Sequence, residues 1–204
     1  SKINTVKPET MLNPNICATY NNSIKNIIDE SLIKIEGIFD EVNDTNKGIS
    51  MIGSIDGEVF LKNKNLKNEV FGPFSLIVKC KNIEEINKVI LSIGGQLTGS
   101  IFADEIELKS ISNTIDLLKL KVGRIIYNGV PTGVEVCTSM HHGGPFPSSS
   151  DSRFTAVGSD AIKRFARPIS YQSFPQDMLP DELKDENPLN ILRNVNGTLT
   201  KNKI

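Results

Sequence analysis

The run Glu69-Val70-Phe71-Gly72-Pro73 carries the most chemical information in this chain. A carboxylate just ahead of an aromatic ring and a Gly-Pro turn accepts hydrogen bonds from sugar hydroxyls while the ring packs on a flat heterocycle. Gly72 permits close approach of the backbone, and Pro73 stiffens the exit. The same residues also read as a solvated acid, a core phenylalanine and a turn, and alone they do not separate the two readings. The pair His141-His142 is the second candidate. Adjacent imidazoles hold a metal only when the backbone turns both toward one centre, and no nearby cysteine completes a ligand set, although Glu135 and Asp151 are close in sequence. A loop or substrate-channel role and ordinary surface hydrogen bonding compete with that reading. No metal is expected.

Cys17, Cys80 and Cys137 are widely spaced and odd in number, which argues against a disulfide scaffold and for a reducing cytoplasm. A nucleophilic thiol needs a lowered pKa and an open approach. Cys80 ends an apolar strand and reads as packing. Cys17 opens a helix with no base or oxyanion arrangement beside it, and Cys137 lies in an irregular loop near the two histidines. His142-Gly143-Gly144 has the form of an oxyanion-hole element, but no GxSxG elbow accompanies it. Neither GxGxxG nor GxxxxGK[ST] occurs, so independent dinucleotide or ATP binding is not expected.

These residues must be positioned by elements that the hydrophobic pattern outlines. Ile24, Ile28, Leu32, Ile35 and Phe39 recur at helical spacing and predict one helix through Phe39, weakened at Gly37. Strands are expected around ISMIGSI and GEVF, joined as a hairpin at Asp56-Gly57, and again at FSLIVK. Ile83, Ile86, Ile90 and Ile93 mark a helix, LTGSIFA a strand, 105–121 a second helix stopped by Gly123, and RIIY another strand. This alternation is the grammar of an α/β layer with a largely parallel or mixed sheet flanked by helices. Between 128 and 153 periodicity gives way to a glycine- and proline-rich loop, the kind that often carries function. SDAIKRFA predicts a short helix with Ser159 as N-cap, PISYQSF an extended segment, and the tail beyond Pro175 is acidic and polar.

The chain's 204 residues suffice for one substantial core, and 38% hydrophobic with 23% charged residues is an ordinary globular balance. A net charge of -1 gives no field to gather nucleic acid or an anionic membrane, and neither partner is expected. No run approaches the roughly 18 apolar residues of a membrane-spanning helix. The opening SKINTVKPETML lacks the order of a secretory signal.

Taken together, Glu69-Val70-Phe71-Gly72-Pro73 resembles the E-x-F-G-P element of the aldehyde dehydrogenases. GRIIYNG at 123–129 and HHGGPFP follow in the family's order. The long pattern NGVPTGVEVCTSMHHGGPFPSSSDSRFTAVG, then AIKRFARPISYQSFP and DENPLN, is most similar to the NADP-dependent branch acting on 2,5-dioxovalerate (α-ketoglutaric semialdehyde). The resemblance implies a catalytic-domain fragment over 1–166, then an oligomerisation strand and tail over 167–204. It further implies Glu69 on the nicotinamide ribose and Phe71 walling the nicotinamide pocket. Along an aldehyde channel it sets Val134, His141, His142, Gly143, Gly144 and Phe146, with Arg153 or Arg124 as contacts for a substrate carboxylate. In the complete enzyme a cysteine thiolate attacks the aldehyde, hydride passes to NADP+, and a glutamate activates the water that frees the acid.

One departure limits the chain. In this family the nucleophile lies farther ahead of E-x-F-G-P than the 68 residues preceding Glu69 allow. Cysteine, general-base glutamate and Rossmann domain are therefore expected upstream, as a partner segment, in a homo-oligomer. No catalytic residue is assigned here, and the isolated chain is expected to hold no NADP tightly. The alternative is a noncatalytic remnant used in assembly.

Overall fold

The computed structural model describes residues 2–29, 33–39, 46–133 and 135–204. The chain divides into two compact units, one reaching Arg164 and the other running from Phe165 to Ile204.

In the first unit the order is β1 (Glu9–Thr10), α1 (Pro14–Asp29), β2 (Lys34–Ile38), β3 (Lys47–Gly48), β4 (Met51–Asp56), α2 (Gly57–Lys62), β5 (Phe74–Lys79), α3 (Ile83–Ser92), β6 (Gln96–Ile101), α4 (Glu105–Ser110), α5 (Ser112–Lys119) and β7 (Val122–Tyr127). One sheet has the order β2-β4-β5, with β2 antiparallel and β5 parallel to β4. β6 and β7 form a parallel pair, and β1 with β3 a short antiparallel one. Ile55, Phe60 and Leu66 centre the core, with Ile27, Ile33, Leu76, Val78, Val89 and Ile93 packed around them. That core joins α1, α2 and α3 to β4 and β5.

Three expectations are corrected. The helix predicted through Phe39 ends at Asp29, and Ile35 stands in strand β2, leaving Phe39 just beyond it; Leu32 lies outside the described residues. GEVF is helical, and Asp56-Gly57 opens α2 instead of closing a hairpin. The cause is the parallel register Met51↔Phe74 to Asp56↔Lys79. Parallel neighbours cannot be joined by a tight turn, so the chain must cross over, and α2 begins that crossover. The helix predicted over 105–121 breaks at Ile111, where ψ swings to 24° and α5 starts anew. Asp104 and Glu107 close a capping box on α4, and Asn82 caps α3 by accepting from the Glu85 N–H at 3.0 Å. Gly123 does not stop a helix but sits within β7.

Among the described residues of 128–158 there is no helix or strand, and a 3-10 helix, Ser159–Phe165, stands where a short helix was expected. In the second unit PISYQSF pairs with no strand among the described residues; Tyr171 and Phe174 meet edge to face at 5.2 Å. β8 (Arg193–Val195) and β9 (Thr198–Thr200) form a hairpin around Asn196-Gly197, both at positive φ. The buried Asn187 amide ties this unit together, donating to Ile191 O and Lys201 O, each at 2.9 Å, and accepting from Ile191 N at 3.1 Å.

Candidate functional site

Glu69 follows the 3-10 turn Asn65–Lys67 and is exposed, with no hydrogen bond or ion pair among the described residues. It borders a cleft of about 510 Å³ whose other walls include Gly94, Gly95, Gln96, Pro147 and Ser148. Thus the two sequence candidates, E-x-F-G-P and the end of HHGGPFP, meet across the start of β6. Glu69 also lines a second cleft of about 550 Å³ with Asp29, Asn65 and Asn68.

The wall opposite Glu69 is held by backbone contact. The Gly95 N–H donates to Phe146 O at 3.1 Å, and Gln96 N donates to Lys121 O at 2.7 Å. A Cβ on Gly95 would stand 2.0 Å from Pro145 O, one on Gly123 1.7 Å from Gly143 O, and one on Gly144 2.4 Å from Gln96 O. Each distance is far inside van der Waals contact, so bare glycines let residues 143–147 lie directly on the starts of β6 and β7. The Lys121 ammonium donates to Leu91 O at 2.9 Å and Ile93 O at 2.8 Å, closing the end of α3 just before Gly94.

Gly143 and Gly144 are buried, and what they approach is the sheet. His142 N donates to the Thr155 hydroxyl at 2.8 Å, and its carbonyl accepts from Ala156 N at 2.9 Å. Thr155, buried and bonded also to Val157 O at 2.7 Å, anchors the loop; RFTAVG offered no periodic signal for it. Neither histidine side chain borders the Glu69 cleft, and Phe146 is exposed. Phe71 is exposed as well and does not line that cleft. Val134 lies outside the described residues. The close approach at Gly72 is made by the ring of Tyr20, which a Cβ would meet at 2.3 Å. Burial pushes the Tyr20 hydroxyl up to about 12, so it stays protonated and donates to Ile49 O.

Among the described residues no group of three or more His, Cys, Asp or Glu side chains gathers to hold a metal. No helix among them is long and apolar enough to cross a membrane. Cys17 is buried between Asn21 and Lys47 O, burial first and the Glu85 charge second push the Cys80 thiol up, and Cys137 is exposed beside Ser139.

Asn128 fixes where the irregular loop begins. At φ 48° it donates from its own N–H to Ile101 O at 2.8 Å, while its amide accepts from Ala103 N at 3.0 Å and donates to Ala103 O at 2.9 Å. Asparagine is among the few side chains at ease in the left-handed region. Asn128→Ala is expected to cost about 1–2 kcal/mol, read as a lowered melting temperature of the longest polypeptide carrying this chain. An unchanged melt would mean that the clasp is not formed.

A curated relative, the α-ketoglutaric semialdehyde dehydrogenase of Acinetobacter baylyi, is 41% identical over 199 residues, covering 97% of this chain and 38% of its own length. The chain is homologous to the aldehyde dehydrogenases. It spans about two fifths of that relative. Solved structures agree on the fold. The Δ-pyrroline-5-carboxylate dehydrogenase of Mycobacterium tuberculosis superposes with a TM-score of 0.60 at 18% identity, over 83% of this chain and 32% of that one. The succinic semialdehyde dehydrogenase of Streptococcus pyogenes, solved with NADP+, gives a TM-score of 0.53 at 18% identity, over 66% and 28%. No family model matches the chain. The α/β architecture, with parallel and mixed sheets flanked by helices, is that of an aldehyde dehydrogenase catalytic domain.

Proposed function

We propose that this chain is the C-terminal portion of an NADP-dependent aldehyde dehydrogenase that oxidises 2,5-dioxopentanoate to 2-oxoglutarate. The 41% identity with the Acinetobacter semialdehyde dehydrogenase, sustained over 97% of the chain, carries the reading. Overall, aldehyde, water and NADP+ give carboxylate, NADPH and protons.

The residues present fit the cofactor's sugar. Glu69 is an exposed carboxylate with its lone pairs uncommitted, at the edge of a cleft, which is what ribose hydroxyls require of an acceptor. Phe71 offers an exposed ring two residues on. NADP+, when bound, would supply the hydride acceptor for the oxidation. This chain's part is to hold the nicotinamide ribose through Glu69 and to line the aldehyde's approach with residues 128–146, including Val134, His141 and His142. The glycines at 143 and 144 keep that segment seated. Nucleophile, general base and Rossmann domain are supplied by the upstream segment. Residues 167–174 supply an oligomerisation strand, whose open edge needs a partner to satisfy its backbone. The setting is cytoplasmic.

The test is NADP+ reduction with 2,5-dioxopentanoate by the longest polypeptide encoded around this sequence, beside the 204-residue chain. Activity is expected only in the longer protein. Turnover proportional to the short chain, in a preparation free of contaminating enzyme, would sink the division of labour. A folded longer protein without activity would sink the substrate.

A further inference from the structure

Asparagine precedes glycine at two places in this chain, Asn128-Gly129 and Asn196-Gly197. Both asparagines sit at positive φ, 48° and 51°. The pairing carries latent chemistry, because a glycine N–H, with no side chain to shield it, can attack the preceding carboxamide.

Their surroundings differ. The Asn128 carboxamide is held on both sides by Ala103, accepting from its N–H at 3.0 Å and donating to its carbonyl at 2.9 Å. A Cβ on Gly129 would meet Ile126 Cγ2 at 3.0 Å, so the attacking side is crowded too. Asn196 and Gly197 instead form the tip of the β8–β9 hairpin, where Val195 pairs with Thr198. Both are exposed, and a Cβ on Gly197 would meet nothing within 4 Å. Among the described residues the Asn196 carboxamide has no hydrogen-bond partner, and neither has the Gly197 N–H. A two-residue Asn-Gly turn leaves that N–H outside the strand ladder.

We propose that Asn196 is a site of spontaneous deamidation, with the Gly197 main-chain nitrogen as the attacking group. The nitrogen bonds to Asn196 Cγ and gives up its proton; the Cγ–Nδ2 bond breaks, and the amide leaves as ammonia. Water then opens the cyclic imide at either carbonyl, giving aspartate or isoaspartate. The net change is asparagine plus water to acid plus ammonia, with no oxidation and no cofactor. At Asn128 the same step must first release both contacts with Ala103. The isoaspartate route lengthens the backbone inside a two-residue turn, which breaks the register Val195↔Thr198. Asn187 and Arg193 bind main-chain oxygens of Ile191, Lys201 and Asn202, next to the two ends of that hairpin. Conversion therefore loosens the second unit.

The experiment ages the longest polypeptide carrying this chain in buffered water, digests it and follows both sites by mass spectrometry. Fragmentation separates Asn196 from Asn194, and an isoaspartyl methyltransferase reads isoaspartate. Conversion at Asn196 is expected to run about 5- to 30-fold faster than at Asn128, the factor set by releasing the Ala103 hydrogen bonds, and to give both acids. Equal rates, faster conversion at Asn128, or no conversion at Asn196 would overturn the proposal. Aspartate without isoaspartate would overturn the cyclic route. Asn196→Gly keeps a Gly-Gly turn and removes the carboxamide. Its melting temperature should hold on ageing while that of wild type falls in step with conversion. The same behaviour in both proteins would overturn the loosening of the second unit.

Discussion

Gly123→Ala is expected to lower the melting temperature of the full-length protein by several degrees, the mark of about 3 kcal/mol or more. The new methyl carbon would sit 1.7 Å from the Gly143 carbonyl oxygen and 2.7 Å from its carbon. Both are backbone atoms, so no rotamer change relieves the clash, and either β7 or the loop must move. Moving the loop shifts Pro147 and Ser148, which wall the cleft beside Glu69, and activity should fall with stability. Gly133→Ala is the control, because a Cβ there meets nothing within 4 Å and its φ is not in the left-handed region. That substitution should be neutral or slightly stabilising, since alanine has less freedom to lose on folding. Equal melting temperatures for the two variants would mean that residues 143–144 do not rest on β7.

Glu69→Gln is expected to act in the opposite manner, on turnover without stability. Glu69 is exposed and makes no hydrogen bond within the described residues, so the fold loses nothing when its charge goes. A charged acceptor on the ribose is worth about 1.5–3 kcal/mol, which corresponds to a loss of roughly 10- to 100-fold in hydride transfer or NADP+ affinity. Single-turnover absorbance of NADPH and a thermal melt separate these effects. Wild-type transfer rates and NADP+ binding would reject the ribose assignment, and a large drop in melting temperature would recast Glu69 as a structural residue.

The α3, β5, β6 and β7 segments could be read from the sequence because each has one clear period and a clear stop. Where reading failed, the local signal was ambiguous or a distant partner decided. Ile24 and Ile28 are helical, but Ile35 continues their spacing by coincidence, and pairing with β4 makes it a strand. GEVF is too short to show a period, and only the parallel register of β5 reveals that a helix must follow Asp56. The tail hairpin had its signal in Asn196-Gly197, hidden by the polarity of its surroundings. At the site, the residue types of E-x-F-G-P and HHGGPFP stood out as candidates in the sequence. Their meeting across Gly94, Gly95 and Gln96 depends on tertiary packing that no local pattern encodes. Gly123 shows the limit most plainly: its place after a helix suggested a stop signal, whereas its purpose is to leave room for a carbonyl twenty residues later.

Because residues 143–147 touch the strands through main-chain atoms, mutational tolerance in this region is partitioned along the chain. At positions 95 and 123 there is no room for a side chain. Among the described residues of 129–142 the constraint relaxes at several positions: Gly133 faces open space, and Val130 and Val136 are exposed. Substitutions can therefore accumulate at the exposed positions of the first stretch while the main-chain contacts of the second are kept, so that divergence in this region concentrates ahead of residue 143.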